Sequence, residues 1–65
     1  MMLLHEFFGS DRLSNRKALV FRNQDESYTV VMIQDEAIVE ERVIVGHSEQ
    51  YAEDCAENWV IGVIT

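Results

Sequence analysis

Between Ser48 and Val60 the chain sorts its residues almost completely by polarity, and this constrains the fold more than any other feature. Tyr51, Ala52, Cys55, Ala56, Trp59 and Val60 recur at i, i+1, i+4, i+5, i+8 and i+9, while Glu49, Gln50, Glu53, Asp54, Glu57 and Asn58 take the places between. That period belongs to an α-helix with one apolar face and not to a strand. Ser48 has the side chain for an N-cap, Glu49 puts an acid in the first turn where the helix dipole favours it, and Gly62 supplies a stop. The helix needs an apolar partner surface.

The centre of the chain supplies that surface as strands. Lys17 to Arg22 encloses the apolar run Ala18-Leu19-Val20-Phe21, and Tyr28 to Gln34 is rich in β-branched and aromatic residues. Asn23 to Ser27 is a polar connector of hairpin length. Asp35-Glu36 reads as a tight turn without the glycine such turns prefer. A third strand runs from Ala37 to Val45, and its charged middle, Glu40-Glu41-Arg42, suits an edge or a bulged stretch. Leu3, Leu4, Phe7 and Phe8 have helical spacing and Gly9 follows, which predicts a short N-terminal helix that must pack on something to persist. Gly9 to Asn15 reads as a loop, and Val63-Ile64 as an extended tail or a further strand. The expectation is an α+β fold of order αβββα: a three-stranded antiparallel meander packed on a C-terminal amphipathic helix, in one domain spanning residues 1–65.

Both central strands are apolar on both faces. Ala18 and Val20 oppose Leu19 and Phe21, and Val30 and Met32 oppose Val31 and Ile33. One helix covers one face of a sheet, so the other face needs a cover. The candidates are the Leu3–Phe8 segment, the Val63-Ile64 tail, or a second protein molecule, with a homodimer through the sheet the favoured reading because a chain of 65 residues has a small core.

Charge is unevenly placed within the net −7. Residues 1–22 carry Arg12, Arg16, Lys17 and Arg22 against Glu6 and Asp11, a net +2, whereas the remainder carries Arg42 alone against ten acids, a net −9. An acidic body disfavours phosphate backbones and anionic membranes and attracts basic partners. Cys55 is the single cysteine, so no internal disulfide forms, and a domain of this size without one suits a reducing cytoplasm. The first residues lack the basic start of a signal peptide, and no run reaches the ~18 apolar residues of a membrane span.

No catalytic constellation is visible. Cys55 falls within the apolar stripe of the helix, His47 just precedes it, and His5 stands apart, so there is no zinc spacing. The sequence leaves a Cys–His nucleophile pair open, but a cysteine in the buried stripe is a poor candidate for it, and neither a cofactor nor a metal is expected. Trp59 and Tyr51 share the packing face. Glu49, Glu53 and Glu57 repeat at i, i+4 and i+8 and, with Asp54, form an acidic face. Like charges at that spacing disfavour an isolated helix by a few tenths of a kcal/mol per pair. The face is either a solvated surface or a patch that docks lysines and arginines of a partner. The segment with Arg12, Arg16, Lys17 and Arg22 is the corresponding basic candidate.

The run Gly46-His47-Ser48-Glu49-Gln50-Tyr51-Ala52-Glu53-Asp54-Cys55-Ala56, placed after three strands, resembles the last strand-to-helix junction of double-stranded-RNA-binding domains, and Leu3 to Phe8 looks like the start of their first helix. That family grips phosphates with lysines at the start of the final helix, where this chain has Glu49, Gln50 and Glu53. The same segment is similar to the domain of HicB antitoxins, a resemblance that implies self-association and neutralisation of a basic protein. Tyr51 to Val60 also looks like short proteins of T4-like marine cyanophages, implying action inside a host cytoplasm. The reading is a small non-enzymatic interaction or regulatory protein, phage-encoded, that binds a basic protein through Glu49, Glu53, Asp54 and Glu57. The alternative is a nucleic-acid-binding module that uses the basic N-terminal segment.

Overall fold

The computed structural model of the protein describes residues 1–63. Four strands, β1 (Met2–Phe8), β2 (Arg16–Arg22), β3 (Tyr28–Gln34) and β4 (Ala37–Ile44), form an antiparallel meander in the order β1-β2-β3-β4, followed by helix α1 (Glu49–Val60). The α+β class and the C-terminal helix are as the periodicity predicts. The element order is ββββα, not αβββα.

The difference lies at the N-terminus. Residues predicted as a helix are β1, an edge strand paired with β2 from Met2↔Arg22 to Phe8↔Lys17. So short a segment cannot sustain a helix on its own, whereas the free edge of β2 offers it a full ladder of backbone hydrogen bonds. The register skips Leu4 between Leu3 and His5, a β-bulge. Leu4 and Phe7 therefore pack on the core while Leu3 and Phe8 lie on the far face. Apolar residues shared between two faces across a bulge mimic a 3.6-residue period.

The remaining elements follow local chemistry closely. β4 is an edge strand and bulges at Val39, which the register passes over between Ile38 and Glu40. It ends at Ile44, one residue before the predicted limit, and β2 begins one residue early at Arg16. A 3₁₀ turn, Asp11–Leu13, interrupts the predicted loop. Ser48 caps α1 by accepting the Tyr51 N–H at 3.3 Å. At the other end Gly62, with φ of +84°, lets its own N–H reach Trp59 O at 3.2 Å and that of Val63 reach Asn58 O at 2.8 Å. Val63 lies in no strand, and Ile64, the rest of the predicted tail, lies outside the described residues.

Helix α1 rests on β1, β2 and β3. Ala52 and Ala56 let it approach the sheet closely, and with Val60 they meet Ala18, Val20, Val30, Met32 and Ile44 in one buried cluster. β4 is less covered, and all its residues but Ile44 are exposed. No helix among the described residues is long and apolar enough to cross a membrane.

The β3–β4 turn carries backbone strain. Asp35 and Glu36 both have positive φ, 55° and 67°, the pair that a two-residue hairpin demands and glycine or asparagine best supplies. Glu36 is exposed. Glu36→Gly is therefore expected to stabilise the fold by about 1 kcal/mol, raising the midpoint of thermal unfolding by roughly 4–8 °C. Thermal melts of the two proteins followed by circular dichroism check this.

Candidate functional site

Alternation in the three hairpins turns one face of the sheet away from α1. Because directly opposed residues share a face, the register defines three rows across it. The rows are Phe8, Lys17, Ile33 and Ile38; then Glu6, Leu19, Val31 and Glu41; then Leu3, Phe21, Thr29 and Val43. Eight of these twelve residues are apolar. Phe8 (65%), Ile38 (61%), Val43 (65%) and Leu3 (47%) are substantially exposed. The two acids stand on the outer strands, and Leu19 and Val31 occupy the centre of the middle row. Thr29 is buried, and its hydroxyl accepts a hydrogen bond from Asn23 Nδ2 at 2.8 Å.

Four strands about 4.8 Å apart and seven residues rising about 3.3 Å each give this face roughly 400 Å² in flat projection. Soluble monomers rarely expose an apolar patch much larger than a few hundred Å² without using it. Of the segments that sequence reading offered as covers, Leu3–Phe8 is itself a strand of the sheet and Val63 lies by the helix, lining a cavity with Trp59. Neither lies over the face.

The predicted acidic patch is divided. Glu49 and Glu53 turn towards β1, where His5 Nε2 lies 3.4 Å from Glu49 Oε2 and 3.0 Å from Glu53 Oε2. Asp54 accepts a hydrogen bond from Gln50 at 2.9 Å on another side of the helix, and Glu57 is exposed. A hydrogen bond between Glu49 and Glu53 is the largest influence on both carboxyls, holding Glu53 above the ordinary glutamate value and Glu49 below it. The two share a proton more readily than separate glutamates would.

His5 was not foreseen in this group. A short helix over Leu3–Phe8 gives no reason to aim it at α1, whereas the strand register sets it opposite Val20 on the helix side. Its imidazole and the two carboxylates bring three ligand-type atoms within 4.8 Å of one another. All three residues are accessible to solvent, and polar contact of the imidazole with two surface carboxyl groups accounts for the arrangement.

The predicted basic segment does not form one patch. Arg12 is exposed on the 3₁₀ turn; Arg16 lies beneath α1, its guanidinium 4.7 Å from the Trp59 ring; Lys17 points to the open face. Arg22, at the far end of β2, lies 3.7 Å from Glu26. Adjacent strand residues project to opposite faces, so a cluster in sequence is dispersed in space.

His47 stacks on Tyr51 at the start of the helix, with ring centroids 3.9 Å apart. Comparison with known proteins returned no matching family model, no matching curated protein and no matching solved structure.

Proposed function

We propose that this is a non-enzymatic interaction protein that acts as a homodimer closed over the open sheet face, presenting its acidic helices outward to a basic protein partner. The observation that carries the reading is the apolar face of three cross-strand rows, for which the chain supplies no cover among its described residues. Its layout is that of an interface: Leu19, Val31 and Phe21 lie inward, and Glu6 and Glu41 lie at the margins.

A second copy suits the face better than a strongly charged partner. The three rows hold Lys17 against Glu6 and Glu41, a net −1 of the chain's −7, so two copies meet with most of their mutual repulsion held away from the contact. Side-chain relief raises the accessible area above the flat projection, and two such faces together approach the ~1,200 Å² at the lower end of specific interfaces. Closure by the sheets leaves Asp54 and Glu57 on the outside of both protomers, where salt-sensitive attraction to lysine and arginine operates.

The test is solution mass. Sedimentation equilibrium is expected to give about twice the 7.5 kDa of the chain. Phe8→Lys combined with Val43→Lys, both at exposed positions that leave the core untouched, should return the mass to that of one chain. A wild-type protein that stays monomeric up to about millimolar concentration, in the weakest range of association, overturns the reading.

A further inference from the structure

Beneath the last turn of α1, on the side of the sheet remote from the open face, lies a cavity of about 160 Å³. Arg16, Arg42, Cys55 and Trp59 line it together with Met32 and Val63. The chain has five lysines and arginines among twelve acids, yet two of those five reach this one cavity and none of its described lining residues is acidic.

The two guanidiniums are incompletely satisfied. Arg16 donates from one terminal nitrogen to Trp59 O at 2.7 Å and stacks on the indole, but its Nε is fully buried and has no hydrogen-bond partner among the described residues. Arg42 places a terminal nitrogen 3.6 Å from Cys55 Sγ, a weak acceptor, while its Nε pairs with Glu40 on the same strand. Leaving a buried N–H of a charged group unpaired is costly, and two like charges at one cavity add repulsion. The buried Nε is closed off from the cavity, but a single negatively charged acceptor there offsets the repulsion between the two guanidiniums and offers their terminal nitrogens a partner.

We propose that this cavity is a binding site for a small oxyanion, a carboxylate or a phosphate, held between Arg16 and Arg42 with its remainder against Trp59 and Val63. Guanidinium geometry suits the paired oxygens of either group. The volume equals about five waters' share of liquid, room for the anionic head and a short apolar body. The site is independent of the proposed dimer, since closure of the open face leaves the helix side untouched.

Trp59 is the only tryptophan and forms a wall of the cavity, so its emission reports occupancy. Inorganic phosphate and butyrate are titrated separately at constant ionic strength, with chloride as the control anion. A saturable change in Trp59 emission, with a matching shift of the Arg16 Nε–H resonance, is expected for at least one of them and not for chloride. Response to phosphate alone assigns the site to phosphate groups, response to butyrate alone to carboxylates, and response to both to the shared oxyanion chemistry. Arg42→Gln, at a half-exposed position with its fold verified by circular dichroism, should weaken binding at least tenfold, and Arg42→Lys less. No saturable response to either anion, or an undiminished one in Arg42→Gln, overturns the proposal.

Discussion

Gly9→Ala is expected to remove about 3 kcal/mol or more of stability and to leave much of the chain unfolded at room temperature, since a domain of this length holds roughly 3–10 kcal/mol in all. A Cβ on Gly9 would overlap the Leu13 carbonyl and come within 2.9 Å of Val60 O. These are backbone atoms, so no change of rotamer relieves the clash. Nor is the surrounding backbone free to move. Gly9 N–H donates to Arg16 O at 3.0 Å, closing the end of the β1–β2 ladder, and Leu13 N–H donates to Ser10 O at 3.0 Å within the 3₁₀ turn. The Leu13 side chain in turn lies under Gly62, where a Cβ would be 2.8 Å from Leu13 Cδ1. The link between β1 and β2 and the end of α1 are thus packed through one glycine. Urea denaturation followed by Trp59 fluorescence should show the midpoint displaced almost to zero denaturant. A loss under about 1 kcal/mol, within the range of ordinary surface changes, would mean that the turn yields and the close approach is dispensable.

Gly9 also shows how sequence reading and structure part company. As a glycine after an apolar quartet it reads as a helix stop; in the fold it is the point where three backbone segments converge. The residue type does not distinguish the two, because the overlap with Leu13 arises only once the 3₁₀ turn has formed and the other partner, Val60, is far along the chain. Where the determining chemistry is local, the sequence is legible. Ser48 and Gly62 delimit α1, the central strand Tyr28–Gln34 has the limits its β-branched run indicates, and Glu40-Glu41-Arg42 falls on a bulged edge strand as its charge pattern implies.

The sites were legible in part, for the same reason. Apolar residues on both faces of β2 and β3 announce a sheet surface beyond the helix, because strand alternation is a property of the segment itself. What does not cover it follows only once β1 is placed in the sheet. Placing β1 also turns His5 towards Glu49 and Glu53 and so divides the acidic face. The cavity required still more. Arg16 and Arg42 are distant in sequence, and only the spacing between β4 and a helix seated on β1–β3 brings both to the same space.

Met32→Ala is expected to cost about 3 kcal/mol, within the 2–5 kcal/mol range of large-to-alanine changes in cores. Met32 is 0% exposed and is among the largest of the fully buried side chains. Its neighbours across the sheet are Ala18 on β2 and Glu40 on β4, and Ala52 and Ala56 belong to the same buried cluster, so small residues around it offer little volume to refill the space. Val43→Ala is the matched contrast: at 65% exposure it should change the stability of an isolated protomer by no more than about 0.5 kcal/mol. Closure of the open face would alter that comparison, because stabilisation by a second copy follows mass action. Urea midpoints taken at low and high protein concentration then separate the two surfaces. Met32→Ala should lose a similar amount at both, whereas the cost of Val43→Ala should rise with concentration as dimer forms. A Met32→Ala loss below about 1 kcal/mol would place the principal core elsewhere, since burial to 0% and a well-packed site are what make such a truncation expensive.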